Sequence, residues 1–168
     1  MTIFGRSLSE YVAFCRLFLV LILLAGILRL ALSLHGMPNS TARWFSMTAL
    51  VWIGVFYYSI RVHTTGFGSY KQLLMICALQ NLVAQAVVIF GILLAIFTGN
   101  ENIFSAPEYA FGGGNPWVHL GAHLVIGTTV GSLVPWLIGS VVLYATRKLA
   151  GSDGSINTVG IIAILTPR

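Results

Sequence analysis

Three histidines and one carboxylate are the residues of this chain best suited to chemistry. His119 and His123 stand four apart in a stretch that reads as helix, which sets both imidazoles on neighbouring turns of one face. His35 follows the first long apolar run, and Glu108 lies in the loop before the last one. Nitrogen ligands of this kind suit zinc, copper or iron, and two histidines from different helices can ligate a haem axially. His119, His123 and His35 are therefore the candidate ligands for a haem or a transition metal, with Glu108 as a further metal ligand. The competing reading is of interfacial histidines that hydrogen-bond to loop carbonyls or water. Neither HExxH nor CxxCH surrounds the pair.

A second constellation lies within the apolar runs. Gln80, Asn81 and Gln85 belong to the third run, and Thr128, Thr129 and Ser132 to the fourth. Asn81 and Gln85 are one helical turn apart. If the two helices are antiparallel, these residues meet at similar depth. Amides and hydroxyls in lipid seek partners across helices, at roughly 0.6 kcal/mol per bond on average. The expectation is that they join the helices. The alternative is a path for a small polar solute past Gln85 and Ser132, without the intramembrane Asp or Glu that usually carries protons. Arg29 interrupts the first run near its far end. Either its charge reaches the nearer interface, or it holds an anion or a carboxylate partner.

The third feature is a stripe. Every fourth residue from His119 gives His123, Gly127, Gly131, Pro135 and Gly139, and each step advances about 40° around a helix. Such a slanted small-residue face suits close approach in lipid. Gly127, Gly131 and Gly139 are expected to pack inside the bundle, in preference to a face kept for another protein or a flat pigment.

The elements that must position these residues are membrane spans. Of 168 residues, 57% are hydrophobic and only 8% charged, with mean hydropathy +0.91. A soluble domain is about 25% charged, and a chain this size cannot hide so much apolar surface in one core. The bilayer is its solvent. The reading is all-α: a single integral-membrane four-helix bundle over 1–168, up-down-up-down, with spans at about 11–34, about 44–62, about 72–98 and about 117–148. Ser9 is the expected cap of the first helix, and Asn115 and Pro116 are the expected cap and first turn of the fourth. The first run is longer than a signal-peptide core, so it is read as a retained helix. Residues 149–168 form a tail whose apolar part, Ile156 to Leu165, is too short to span.

Charge sets the orientation. Arg6, Arg16, Arg61, Lys71, Arg147, Lys148 and Arg168 fall on one side, against Arg43 alone on the other. Cytoplasmic loops carry the Lys and Arg excess, so both termini are expected in the cytoplasm and the glycine-rich loop with His35, His119 and His123 outside, in a bacterial inner membrane. The net charge of +5 does not point to nucleic acid, because the basic residues sit at the ends of apolar runs. Gly66-Phe67-Gly68 follows no strand and does not read as a phosphate loop. Cys15 and Cys77 form no CxxC or disulfide framework.

These features lead to a small polytopic membrane protein without catalysis of its own, an accessory or structural subunit or an oligomer. A haem- or metal-binding protein with an outer histidine site is the alternative, and a small-solute transporter the third.

Overall fold

The computed structural model describes residues 2–110 and 114–150. The chain opens with a small antiparallel hairpin, β1 (Thr2–Ile3) and β2 (Arg6–Ser7), turned by Phe4 and Gly5, both at positive φ. Helix α1 (Leu8–Leu34) begins at Ser7, not at Ser9 as expected. The reason is Glu10: its carboxylate accepts the Ser7 N–H at 2.7 Å while Ser7 Oγ accepts the Glu10 N–H at 3.3 Å. This reciprocal capping box requires a Glu or Gln three residues after the cap, where Ser9 has Val12.

The second span is divided. Pro38 precedes a single helical turn, α2 (Asn39–Ala42), and the chain restarts at Ser46, whose hydroxyl accepts the Ala49 N–H at 3.2 Å to open α3 (Met47–Thr64). Helix α4 (Tyr70–Thr98) starts where Gln72 Oε1 accepts the Ser69 N–H at 2.8 Å, and ends at Gly99 in the left-handed conformation. A 3-10 turn (Pro107–Tyr109) lies in the loop that follows. Asn115 Oδ1 accepts the N–H groups of Trp117 and Val118 at 3.0 and 3.3 Å, with Pro116 in the first turn. From there the fourth span runs as α5 (Pro116–Ala122), a π-helical turn (His123–Gly127) and α6 (Thr128–Ala150).

Among the described residues, four stretches are long and apolar enough to cross a membrane: Leu8–Leu34, Asn39–Thr64, Tyr70–Thr98 and Pro116–Ala150. Their outward faces are as apolar as their inward ones. Leu17, Leu24, Ile27 and Val141 are each more than half exposed, as side chains that meet lipid would be. Helices α3 and α4 pack against each other and each against both α1 and α6. The core is made by Tyr11, Cys15, Phe18 and Ile22 of α1, Val55, Tyr58 and Val62 of α3, and Leu73, Ile76 and Cys77 of α4. At the hairpin end, Phe67 stacks on Phe14 at 3.9 Å, and Gln72 Nε2 donates to the Phe4 carbonyl at 2.7 Å. The tail beyond residue 150 and the Gly112–Gly113 part of the glycine run lie outside the described residues.

Candidate functional site

The far end of the bundle is closed by a loop that folds inward. Asn102 is buried, donates from Nδ2 to the Gly91 carbonyl at 2.7 Å and accepts the Phe104 N–H at 3.0 Å. This pins Ile103 and Phe104 among the helix ends, both nearly inaccessible. The Phe104 carbonyl then meets the Nε2 of buried His119 at 3.1 Å. The bond to a loop carbonyl is the arrangement expected of an interfacial histidine.

His123, one turn further into the span, opens the π-turn. Its carbonyl accepts both the N–H of Thr128, five residues on, and the Thr128 hydroxyl at 3.1 Å. Its Nδ1 lies 2.8 Å from Gln85 Oε1 on α4, so the ring donates to the amide oxygen. The two imidazoles stand edge to face, centroids 4.8 Å apart at 87°.

Asn81 secures the other side of the turn. Its Nδ2 donates to the carbonyls of Gly127 and Thr128 at 3.1 and 3.0 Å and to Ser132 Oγ at 3.0 Å, while Ser132 donates to the Thr128 carbonyl at 2.7 Å. A π-turn takes in an extra residue and exposes main-chain groups that a regular helix would pair. Here a side-chain amide from the neighbouring helix meets them. The extra residue also winds the slanted stripe back toward α4. A methyl group on Gly127 would lie 2.9 Å from Gln85 Oε1, one on Gly131 2.7 Å from Asn81 Oδ1, and one on Gly139 2.7 Å from Ser59 Oγ. All three glycines thus lie against neighbouring helices of the same bundle.

Gln80 is not in this network. It is fully buried and turned toward Gly54 of α3, with no hydrogen-bond partner at either amide atom. Thr129 is exposed. Arg29 lies roughly 8 Å along α1 from its last residue. Its guanidinium sits over the Phe104 ring, 5.3 Å from the centroid, and its Nε is buried without a partner.

His35 and Glu108 do not join the histidine pair. His35 is exposed at the end of α1 and lines none of the cavities around His119 and His123. Glu108, exposed on the 3-10 turn, accepts the Asn39 side-chain amide at 2.7 Å. That bond holds its carboxyl below the usual carboxylate range. Among the described residues, no three His, Cys, Asp or Glu side chains come close enough to hold one metal ion.

Three cavities meet at His123. One of about 370 Å³ lies between α3, α4 and α6, lined by Val51, Trp52, Ala84, Val130 and Val134, with Asn81, Gln85 and His123 as polar lining. A second, about 240 Å³, is lined by Arg29, Thr48, Phe104, Tyr109, His119 and His123. A third, about 290 Å³, lies on the outer side of the same histidines, beside Tyr109 and Gly127. The sequence offers no signal for Thr48, Phe104 or Tyr109 as members of this chamber, because only the infolded loop brings them there.

Comparison with known protein families, curated proteins and solved structures gives no match. What the fold defines, among the described residues, is a helical bundle with four stretches able to span a membrane, and its role has to be argued from these residues.

Proposed function

We propose that this chain is a multi-pass protein of a bacterial inner membrane, its four spans alternating in direction and both termini in the cytoplasm. The support is the Lys and Arg excess at one set of span ends. Its role in this reading is non-catalytic, as a subunit that works beside other membrane subunits or further copies of itself. The observation that carries it is the use of the intramembrane polar groups. Asn81 spends its amide on α6 carbonyls, Gln85 holds His123, and the Phe104 carbonyl holds His119. Amide and carbonyl partners orient a ring without supplying an ionised acid or a nucleophile.

Single cysteines at exposed Lys71 and Glu101 test the topology, since native Cys15 and Cys77 are buried and give little background. Cys at 101 should react with an impermeant maleimide in whole cells with an opened outer membrane, and Cys at 71 only after lysis. The reverse pattern overturns the orientation. Light scattering of the detergent-solubilised protein tests the subunit role: a stable monomer without a stoichiometric partner counts against it.

A second reading has one observation in its favour. Each imidazole is oriented by an oxygen acceptor on one nitrogen, as metal-bound histidines usually are. His119 and His123 would then hold a transition metal together, or one of them would serve as the single axial ligand of a haem. Purified protein without a Soret band and without stoichiometric metal ends this reading.

A further inference from the structure

The chamber around Arg29 carries a positive charge that the fold does not answer. Among the described residues the ion pair is Arg6 with Glu10, at the other end of α1. Arg29 has instead an aromatic ring and a buried, unpartnered Nε. A guanidinium within an apolar span is costly unless it is paired, and its fork of donors matches the paired oxygens of a carboxylate or a phosphate. The chamber also adjoins an apolar cleft. The Arg29 cavity and the larger cleft share Met47, Thr48, Val88 and His123 as lining, so the two lie against each other and only these side chains stand between them. Beyond those shared residues the lining changes from Arg29, Tyr109 and His119 to Val51, Trp52, Val130 and Val134. Cavities of a few hundred Å³ are of the size that holds a small ligand.

We propose that the chamber binds a single-chain lipid acid, its carboxylate held by Arg29 with His123 alongside and its hydrocarbon tail lying in the α3–α6 cleft. The charged end needs the guanidinium, and the tail needs an apolar trough such as the one lined by Val51, Trp52, Val130 and Val134. Thr48 and Tyr109 add hydroxyl groups at the head end, where a carboxylate oxygen has lone pairs to spare. The inference rests on the membrane reading and takes His123 as carrying no metal or haem.

The test uses the full chain in phosphatidylcholine nanodiscs with palmitic acid carrying a mid-chain diazirine, photolysed and mapped by mass spectrometry. Label should concentrate on the cleft residues Trp52, Val130 and Val134. It should fall at least about tenfold in Arg29→Gln, as the loss of charge-assisted hydrogen bonds predicts, and be retained in Arg29→Lys. The matching diazirine alcohol should label the cleft weakly. Equal labelling by the alcohol, unchanged labelling in Arg29→Gln, or label spread evenly over the outward faces of α1 and α6 would overturn the proposal. Displacement by anionic phosphatidylglycerol as effective as by free palmitate would overturn the single-chain assignment. If Arg29→Gln does not fold, Val130→Trp decides: it leaves Arg29 in place and fills the trough, so cleft labelling should vanish, and its persistence rejects the site. Absence of label on every helix face would instead count against membrane insertion itself.

Discussion

The Asn81 side chain donates across the helix interface to the Thr128 carbonyl at 3.0 Å, where the fourth span leaves its π-turn and resumes as α6. The π-turn and the amide explain each other: one exposes main-chain oxygens inside an apolar bundle, and the other meets them. Asn81→Leu removes the donor: the Thr128 oxygen keeps the Ser132 hydroxyl, and the Gly127 oxygen loses its side-chain donor. Interhelical bonds in lipid average about 0.6 kcal/mol, and an oxygen left unsatisfied costs about 1–3 kcal/mol. A loss of about 1–3 kcal/mol is expected, read from reversible unfolding in mixed SDS micelles. Wild-type stability in this variant would show that the turn does not depend on Asn81.

Gly131 lies under the same amide. An alanine methyl there would sit 2.7 Å from Asn81 Oδ1, and Asn81 cannot retreat without giving up its bonds to α6. Gly131→Ala should therefore cost about 1–2 kcal/mol despite alanine's better helix propensity. Gly121, two residues before the π-turn and also helical, has open space where its methyl would go. Gly121→Ala should be neutral or gain up to about 1 kcal/mol. The same unfolding assay compares the two, and equal effects would remove the close-contact explanation.

How much of this was legible in the sequence depends on whether the cause is local. Asn115 and Pro116 mark the start of the fourth span because a cap and a first turn need only their own neighbours. The Ser7 cap needed one comparison more, the position of the acid, and reading Ser9 as the cap passed it over. The buried stripe of α1, Tyr11, Cys15, Phe18, Ile22, Gly26 and Leu30, follows helical spacing, but Leu17, Leu24 and Ile27 on the other face are no more polar. Hydrophobic periodicity cannot pick the inner face when lipid is the solvent outside. The π-turn has no local signature at all, since Asn81 and Gln85 of another helix meet it. Membrane side alone groups His35 with His119 and His123, and the structure places it at an exposed helix end.

The Asn39–Glu108 bond ties the short α2 turn to the loop before the fourth span and makes a pH prediction. Glu108 titrates below the ordinary 4.5 because the Asn39 amide donates to its ionised form. A depressed carboxyl contributes to the folded loop at pH above that ordinary value, and the contribution is lost as pH falls through the lower folded-state value. Carboxyl carbon NMR of the micelle-bound protein can follow this, with Glu108→Gln to assign the signal. In Asn39→Ala the Glu108 midpoint should move up toward 4.5. An unmoved midpoint would mean that another group sets it.

Gln80 and Asn81 are neighbours in sequence and face opposite fates. Asn81 donates from Nδ2 to the fourth span, whereas Gln80 is wholly buried with neither amide atom paired. A buried amide without partners costs about 1–3 kcal/mol, and an apolar side chain of similar length removes that cost. Gln80→Met keeps the length and flexibility needed to pass Gly54, so packing should survive. The variant is expected to equal the wild type or exceed it by about 1–2 kcal/mol in the SDS unfolding assay, opposite in sign to Asn81→Leu. If Gln80→Met instead loses more than about 1 kcal/mol, the amide has a partner in the membrane that stabilises it, and it belongs with the polar network on α6 after all.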